Sequence, residues 1–339
     1  MNKLLTLVIP TYNMERLLRE CLETLVVKDE LMSLLEVLVI IDGSTDSSAS
    51  IGQEFADRYP DTFRVIIKEN GNYGSCVNRG LDEARGKYIK TLDADDKFKA
   101  GSLGLFLGQL RDVDADMIIS DYAGWNMQTG HIDQFCYHLP TSGLFGIDRL
   151  KFQPHTPLMM HAVAYRTSML REMHYRQTEG IFYTDQEWTF MPVSRVRKIW
   201  YFPHTLYIYR VGREGQTVDI RVWVRHADQE IFGLKKMTTF YNGIKDHISA
   251  ELKDFMLYRL HFRVSAIYMH LFIRSFGAVD DAAIRDFDQF VAQHQPEFYR
   301  NVEQLHTYHG LNVIGLWRRH PRLYRVYLAV RRFAHQRFK

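Results

Sequence analysis

Three carboxylates fall within four residues at Asp93-Ala94-Asp95-Asp96, directly behind the short apolar run Tyr88–Leu92. Acids this close repel one another strongly unless a cation neutralises them. Hard divalent ions such as Mg2+ and Mn2+ take a few protein carboxylates and complete their shell with water and substrate phosphates. The competing reading is a solvated acidic turn whose aspartates close the turn or cap a helix. A second cluster, Asp42-Gly43-Ser44-Thr45-Asp46, offers a carboxylate able to accept from a base N–H or a ribose hydroxyl. Alone it reads equally as a tight turn with a Ser/Thr cap for the next helix.

The elements around these clusters decide between the readings. Over the first ~120 residues short apolar runs alternate with amphipathic stretches, the pattern of a parallel sheet covered by helices. Strands are expected at Leu4–Ile9, Glu36–Ile41, Phe63–Lys68, Tyr88–Leu92 and Met117–Ser120. Helices are expected at about Arg16–Leu25, Ser47–Tyr59, Ser75–Ala84 and Ser102–Leu110, with Asn13 and Ser47 as N-caps. Polar turns follow the first four strands: Pro10–Asn13, Asp42–Asp46, Asn70–Gly74 and Asp93–Asp96. Open α/β sheets bind ligands beyond the carboxyl ends of their strands, so four such turns converge on one edge. Gly71-Asn72-Tyr73-Gly74 lacks the Gly-Lys-Ser/Thr ending of a P-loop. From about 121 to 220 the pattern is mixed, with short strands and loops, and beyond Val222 it is helical.

Taken together, these blocks resemble the motifs of family-2 inverting glycosyltransferases, in order and spacing, over the first ~100 residues. The blocks are Val8–Asn13; Ile41–Asp46; Asn72-Tyr73-Gly74 with Asn78, Gly80 and Gly86-Lys87-Tyr88; and Leu92–Asp96. Thr184-Asp185-Gln186-Glu187-Trp188 is similar to the family's later acidic motif, and Tyr209–Thr217 to a loop that closes the domain in one bacterial subgroup. The resemblance implies the GT-A fold, an α/β Rossmann-like nucleotide-diphospho-sugar transferase domain. It places this domain over 1–220 and leaves a helical C-terminal region over 221–339.

By the same resemblance, Pro10, Thr11, Tyr12, Asp42, Asn72, Tyr73, Asp93, Ala94 and Asp95 line the nucleotide-sugar site. Thr11, Tyr12 and Asp42 would hold the nucleobase and ribose, and Asp93 the ribose or donor sugar. Asp95 would bind the Mn2+ or Mg2+ that bridges the two phosphates, and Asp185 would be the general base. Two positions depart from the pattern: Ile41 stands where the family usually has a second aspartate, and Val77 where an arginine often precedes the asparagine.

Inverting transfer needs a base to deprotonate the acceptor hydroxyl while a metal stabilises the leaving diphosphate. Asp185 lies beside Phe182, Tyr183 and Trp188, apolar neighbours that can raise a carboxylate pKa. Trp188 offers a platform for a sugar ring. The competing readings are Asp185 as a helix cap and Glu187 as the base. His155, His161 and His204 match none of the common zinc spacings; His161 reads as an acceptor contact or as a structural histidine. Arg210 and Arg213 suit bidentate phosphate contacts, or else surface ion pairs.

Charge is distributed unevenly. The chain has 43 lysines and arginines against 40 acids, yet no acid follows Glu303, while eight basic residues from Arg318 to Lys339 do. Leu323, Tyr324, Tyr327, Leu328 and Arg331 recur there at helical spacing, with Arg318, Arg322, Arg325 and Arg332 offset. Such a tail reads as a helix lying on an anionic membrane surface, ahead of an ordinary packed helix and of nucleic-acid binding.

Three cysteines, no signal-peptide pattern and no uncharged run of ~20 residues point to a reduced, cytoplasmic protein, peripheral on the inner face of the membrane if the tail docks there. The expected reaction is inverting transfer from a nucleoside-diphosphate sugar, UDP-linked by family frequency, to a glycan or lipid-linked acceptor in bacterial envelope synthesis. The alternatives are a nucleotidyltransferase, for which Pro10–Glu15 offers no lysine or glycine to hold a triphosphate, and a non-catalytic carbohydrate-binding subunit.

Overall fold

Leu5, Leu7, Val8 and Ile9 are wholly buried, as are Leu35, Val37, Leu38, Val39 and Ile40. Such two-sided burial belongs to the centre of a parallel sheet, where strands read as continuous apolar runs. The computed structural model describes residues 3–150, 157–212, 216, 219–305, 307–308 and 310–337. It divides into two compact units, Met1–Arg213 and Glu214–Lys339.

The first unit is one sheet with helices. Its strands are β1 (Leu5–Thr11), β2 (Leu35–Asp42), β3 (Phe63–Lys68), β4 (Tyr88–Thr91), β5 (Lys97–Phe98), β6 (Met117–Asn126), β7 (Ile132–Phe135), β8 (Val163–Arg166) and β9 (Ile199–Val211). The order is β3-β2-β1-β4-β8-β6-β9-β5, with β7 on β6. β1 runs parallel to β2 and β4, with Leu5 opposite Leu35 on one side and Tyr88 on the other. β8 is antiparallel to both β4 and β6, and β9 is parallel to β6. The carboxyl ends of β1, β2, β3, β4, β6 and β9 therefore share one edge.

The helices of this unit are α1 (Leu18–Glu23), α2 (Asp29–Met32), α3 (Ser48–Arg58), α4 (Asn72–Glu83), α5 (Ser102–Leu110), α6 (Thr167–Glu172) and α7 (Asp185–Trp188). Glu36 is an acid buried inside the sheet, where it accepts from Thr6 Oγ1 at 2.7 Å, from Arg64 at 3.0 Å and from the Arg85 N–H at 2.8 Å. A buried carboxylate survives only with partners of this kind.

The two expected caps are corrected. Asn13 caps no helix; its Oδ1 accepts from the Thr45 N–H at 2.9 Å and ties the β1 and β2 turns together. Ser47 stands at the cap position of α3 without a side-chain bond, and Asp46 accepts from the Ser48 N–H at 3.0 Å instead.

The second unit is helical: α8 (Ile220–Arg225), α9 (Ala227–Ile244), α10 (Ala250–Met269), α11 (Asp281–His294), α12 (Pro296–Leu305), α13 (Val313–Arg319) and α14 (Pro321–Arg337). α10 runs into a π turn over His270–Arg274, and Thr307–Tyr308 pairs with Leu311–Asn312, a short hairpin within the stretch expected to be helical. Its core holds Leu260, Val264, Ile267, Leu271, Phe272 and Phe287. Arg318 is part of that core structure, paired with Asp288 at 2.6 Å and Glu303 at 3.1 Å, its guanidinium 3.8 Å from the Tyr299 ring. No described helix is long and apolar enough to cross a membrane.

Candidate active site

The acidic turn begins where β4 leaves the sheet, and β9 holds it. Tyr207 and Arg210 come from the carboxyl end of β9, which reaches the same edge because β9 runs parallel to β6. Asp96 is 1% exposed and accepts on both oxygens, from the Tyr207 hydroxyl at 2.6 Å and the Arg210 N–H at 2.7 Å. The Tyr207 hydroxyl also accepts from the Asp93 N–H at 3.2 Å, so a single phenol spans the turn. The Arg210 guanidinium pairs with Glu20 of α1 at 2.6 Å and donates to the Asp95 carbonyl at 3.1 Å. Its 1% exposure makes it a brace beneath the turn, which corrects both expectations for it, the diphosphate grip and the surface ion pair.

Burial sets the charge state of these groups. Asp93 is pushed up to about 7, by burial first and then by Asp95. Asp96 is driven well above the carboxylate range by burial, with Asp93 and Asp95 adding to it. Lys90, inside β4, is brought down to about 7 by burial alone, with Asp93 opposing, and its ammonium donates to the His161 carbonyl at 2.6 Å. Acids crowded in one turn repel one another, and a cation relieves that repulsion. One ligand atom each of Asp93, Asp96 and His161 lies within 4.8 Å of the others, and His161 Nδ1 is buried with no hydrogen-bond partner among the described residues. The donor types fit Mn2+ or Mg2+ chemistry through the carboxylates. Asp96 is already committed to β9, whereas Asp95 is half-buried at the same turn.

α4 and the segment ahead of α7 form the opposite wall. The Tyr73 hydroxyl donates to Asp93 at 3.0 Å, joining α4 to the acidic turn. Asn78 binds both sides of the facing segment: its amide donates to the Gln177 carbonyl at 2.9 Å and to Glu179 at 2.7 Å, and its Oδ1 accepts from the Gln177 N–H at 2.9 Å. Gly74 lets the two pieces touch, since a Cβ there would collide with the Thr178 carbonyl. Asn72 and Tyr183, both with φ near +60° (63° and 62°), bend the chain on either side. Left-handed backbone is uncommon for a tyrosine and costs energy that the surrounding contacts must hold. Asp185 opens α7 just beyond, half-buried, accepting from Gln186 Nε2 at 2.8 Å. Its charge contributes to the raised pKa values of Asp93 and Tyr73, which puts it on the same cleft.

The β1 and β2 turns complete the edge. Asp42 is nearly buried; its Oδ1 meets the Lys68 ammonium at 2.5 Å and accepts from the Gly71 N–H at 3.0 Å. Thr11 is inside, its hydroxyl turned back to the Ile9 carbonyl at 3.0 Å, and Pro10 is half-buried. Tyr12 is 52% exposed, and Ala94 packs inside the acidic turn.

Other expected residues sit elsewhere. Glu187 is fully buried and accepts from the Thr178 hydroxyl at 2.6 Å and N–H at 3.0 Å, so it locks its own segment and is withdrawn as the competing base. Trp188, 1% exposed and edge-on to Tyr165 and Tyr175, is a core residue rather than a sugar platform. His161 is 5% exposed, stacked on Tyr209 at 4.4 Å and held near pKa 3 by burial, a neutral packed ring rather than an open acceptor contact. Arg213 and His155 lie outside the described residues. Tyr207, Lys90 and Lys68 were missed. Their partners are remote in sequence or lie on a neighbouring strand, and a single tyrosine or lysine inside a strand carries no signal of its own.

This edge joins the acidic turn, the Asp42 carboxylate and Asp185, and the sequence that builds it is similar to known proteins. Residues 6–173 match the family model described as Glycosyl transferase family 2. The chain belongs to glycosyltransferase family 2. An uncharacterized glycosyltransferase of Mycoplasma pneumoniae is 26% identical over 266 residues, 75% of this chain and 83% of that protein. The putative glycosyltransferase EpsH of Bacillus subtilis is 34% identical over 125 residues, 37% of this chain and 35% of EpsH. In fold the glycosyltransferase is similar to S. aureus TarS 1–349 in complex with UDP-GlcNAc (TM-score 0.55, 17% identity, 89% of this chain and 90% of that one). It is also similar to the mannosyltransferase PcManGT from Pyrobaculum calidifontis, in complex with GDP-Man and Mn2+ (TM-score 0.51, 16% identity, 89% and 83% covered). The architecture is the GT-A fold with a helical C-terminal region.

Proposed function

We propose that this glycosyltransferase moves a sugar from a nucleoside-diphosphate sugar to an acceptor hydroxyl in a single displacement, with inversion. The observation that carries this reading is the facing arrangement of two acidic groups. The Asp93–Asp96 turn is held by β9, and Asp185, at the start of α7, lies within electrostatic reach of Asp93. The donor class is supported by the fold neighbours solved with UDP-GlcNAc, UDP and GDP-Man. A UDP-sugar is the donor we favour, with Asp42 accepting from the base and Tyr12 and Thr11 beside it.

Asp95 and Asp93 would hold a divalent cation, Mn2+ or Mg2+, which when bound supplies positive charge against the departing diphosphate. The chain's own groups do the rest. Tyr207 and Arg210 fix the turn so that its carboxylates are already in place before the donor arrives, and Tyr73 orients Asp93. Asp185 accepts the acceptor's proton as the hydroxyl oxygen attacks the anomeric carbon; general-base assistance of this kind is worth about 10²–10⁴-fold. The acceptor we favour is a glycan or lipid-linked glycan of the bacterial cell envelope, reached from the cytoplasmic side.

A thermal-shift screen of UDP-, GDP- and dTDP-sugars with and without Mn2+ tests the donor assignment. A ligand that binds only the native state raises the melting temperature. A rise with a UDP-sugar that needs the metal is expected; no rise with any nucleotide sugar would refute the reading.

A further inference from the structure

The basic helix α14 carries an exposed apolar surface. α14 packs one side on the helical unit through Tyr324, Tyr327 and Leu328, with Tyr324 buried. Its other side exposes Leu323 (57%), Val326 (61%), Val330 (63%) and Phe333 (62%). At 3.6 residues per turn these four fall within an arc of about 80°, forming one apolar stripe along the helix.

The arginines divide between two tasks. Arg318 is buried in its ion pairs, Arg319 pairs with Glu303 at 2.8 Å, and Arg332 donates to the Phe276 and Gly277 carbonyls at 2.7 and 2.8 Å. Arg331 lies over the Phe276 ring at 4.5 Å. Arg322 remains exposed beside the stripe, and Arg325, exposed farther round the helix, lies within electrostatic reach of Asp281. A helix with an aliphatic and aromatic stripe edged by cations has the make-up of one that lies in the plane of a lipid interface.

We infer that the Leu323–Val326–Val330–Phe333 face of α14 docks this enzyme on an anionic membrane surface. Charge decides the occupant. A second copy laid on the same face would oppose arginines to arginines, since a two-fold contact pairs each patch with itself. Nucleic acid would match the cations but leave the four apolar side chains in water. Anionic lipid satisfies both, taking the arginines at its headgroups and the stripe at the acyl boundary. The inference does not depend on the donor, metal or base assignments above.

Vesicle flotation of the full-length chain, without nucleotide sugar, tests it. Binding to phosphatidylcholine vesicles containing phosphatidylglycerol is expected, weaker on phosphatidylcholine alone and weakened by high salt. Each near-surface cation changes partitioning about fivefold, so Arg322→Glu/Arg325→Glu should weaken binding at least tenfold. Val326→Asp/Val330→Asp should lose binding while keeping the wild-type melting temperature, since both positions are exposed. No binding of the wild type to anionic vesicles would overturn the proposal, as would binding indifferent to both variants. A dimer in light scattering that Val326→Asp/Val330→Asp converts to monomer, with lipid binding unchanged, would assign the stripe to a second copy instead.

Discussion

The phenol of Tyr207 offers the sharpest test of how the acidic turn is held. Tyr207→Phe keeps the ring, so its edge-on contacts with Phe98 at 6.0 Å and with His161 at 4.8 Å persist and no cavity opens. What is removed is one oxygen with two bonds, to Asp96 Oδ2 at 2.6 Å and from the Asp93 N–H at 3.2 Å. Leaving a buried acceptor such as the Asp96 oxygen without its donor costs about 1–3 kcal/mol, and a neutral backbone bond contributes about 1. Asp96 keeps its bond from the Arg210 N–H, so the loss is not of the whole carboxylate. The expected destabilisation is about 2–4 kcal/mol, which for a unit of this size lowers the melting temperature by roughly 5–15 °C. Calorimetric melting measures the fall directly, and titration with the donor and Mn2+ should show weaker binding, because the loosened turn no longer presents its carboxylates in one geometry. A melting temperature within 2–3 °C of wild type, with donor affinity unchanged, would refute the claim that this hydroxyl fixes the turn (about 1 kcal/mol or less).

Four further outcomes are expected. Asp95→Ala should weaken metal-dependent donor binding by more than about tenfold in calorimetry, as one carboxylate ligand of a hard cation is lost. Asp185→Asn should leave the donor Kd unchanged and lower kcat about 10²–10⁴-fold, and near-normal turnover would move the base role elsewhere. Gly74→Ala should cost more than about 3 kcal/mol in urea unfolding, because the methyl meets backbone rather than a movable side chain. His161→Asn should flatten the acid limb of stability, measured without divalent metal. The folded pKa of His161, about 3, lies below its unfolded value of 6.5, so its stabilisation is present above pH 6.5 and lost as pH falls toward 3. That contribution is at most about 5 kcal/mol.

Much of the first unit was legible because it obeys local rules. The runs Phe63–Lys68 and Ser102–Leu110 became β3 and α5 with their expected bounds, since an apolar run between turn residues specifies its own element. The carboxylates at 42, 93 to 96 and 185 were legible as well, because turn position and residue type are written consecutively. What holds them was not. Arg210 reads as a phosphate ligand until β9 is seen to bury it against Glu20 and the Asp95 carbonyl. Glu187 and Trp188 sit in an acidic, aromatic motif that looks open, yet tertiary packing folds both inward. Asn13 has the residue type of a helix cap but spends its amide on a neighbouring turn. Arg210 and Asn13 depend on which strand lies beside which, fixed by contacts remote in sequence, whereas Glu187 is turned inward by Thr178, nine residues before it.

The reversed strand β8 has a mechanical consequence. Only two residue pairs, Tyr88 with Arg166 and Ile89 with Tyr165, join it to β4. Beyond them the Lys90 ammonium takes over the role of absent amides, binding the His161 carbonyl at 2.6 Å and the Val163 carbonyl at 3.3 Å. On its other flank the Tyr165 hydroxyl donates to the Trp188 carbonyl at 2.9 Å, at the end of the turn that Asp185 begins. β8 thus acts as a tie rod between the strand that carries the acidic turn and the helix that carries Asp185. Any displacement that widens the cleft on the Asp185 side must load this rod, and a side-chain amine bears part of the strain. The acidic turn and the Asp185 helix are coupled through the four residues of β8, so they yield together or not at all.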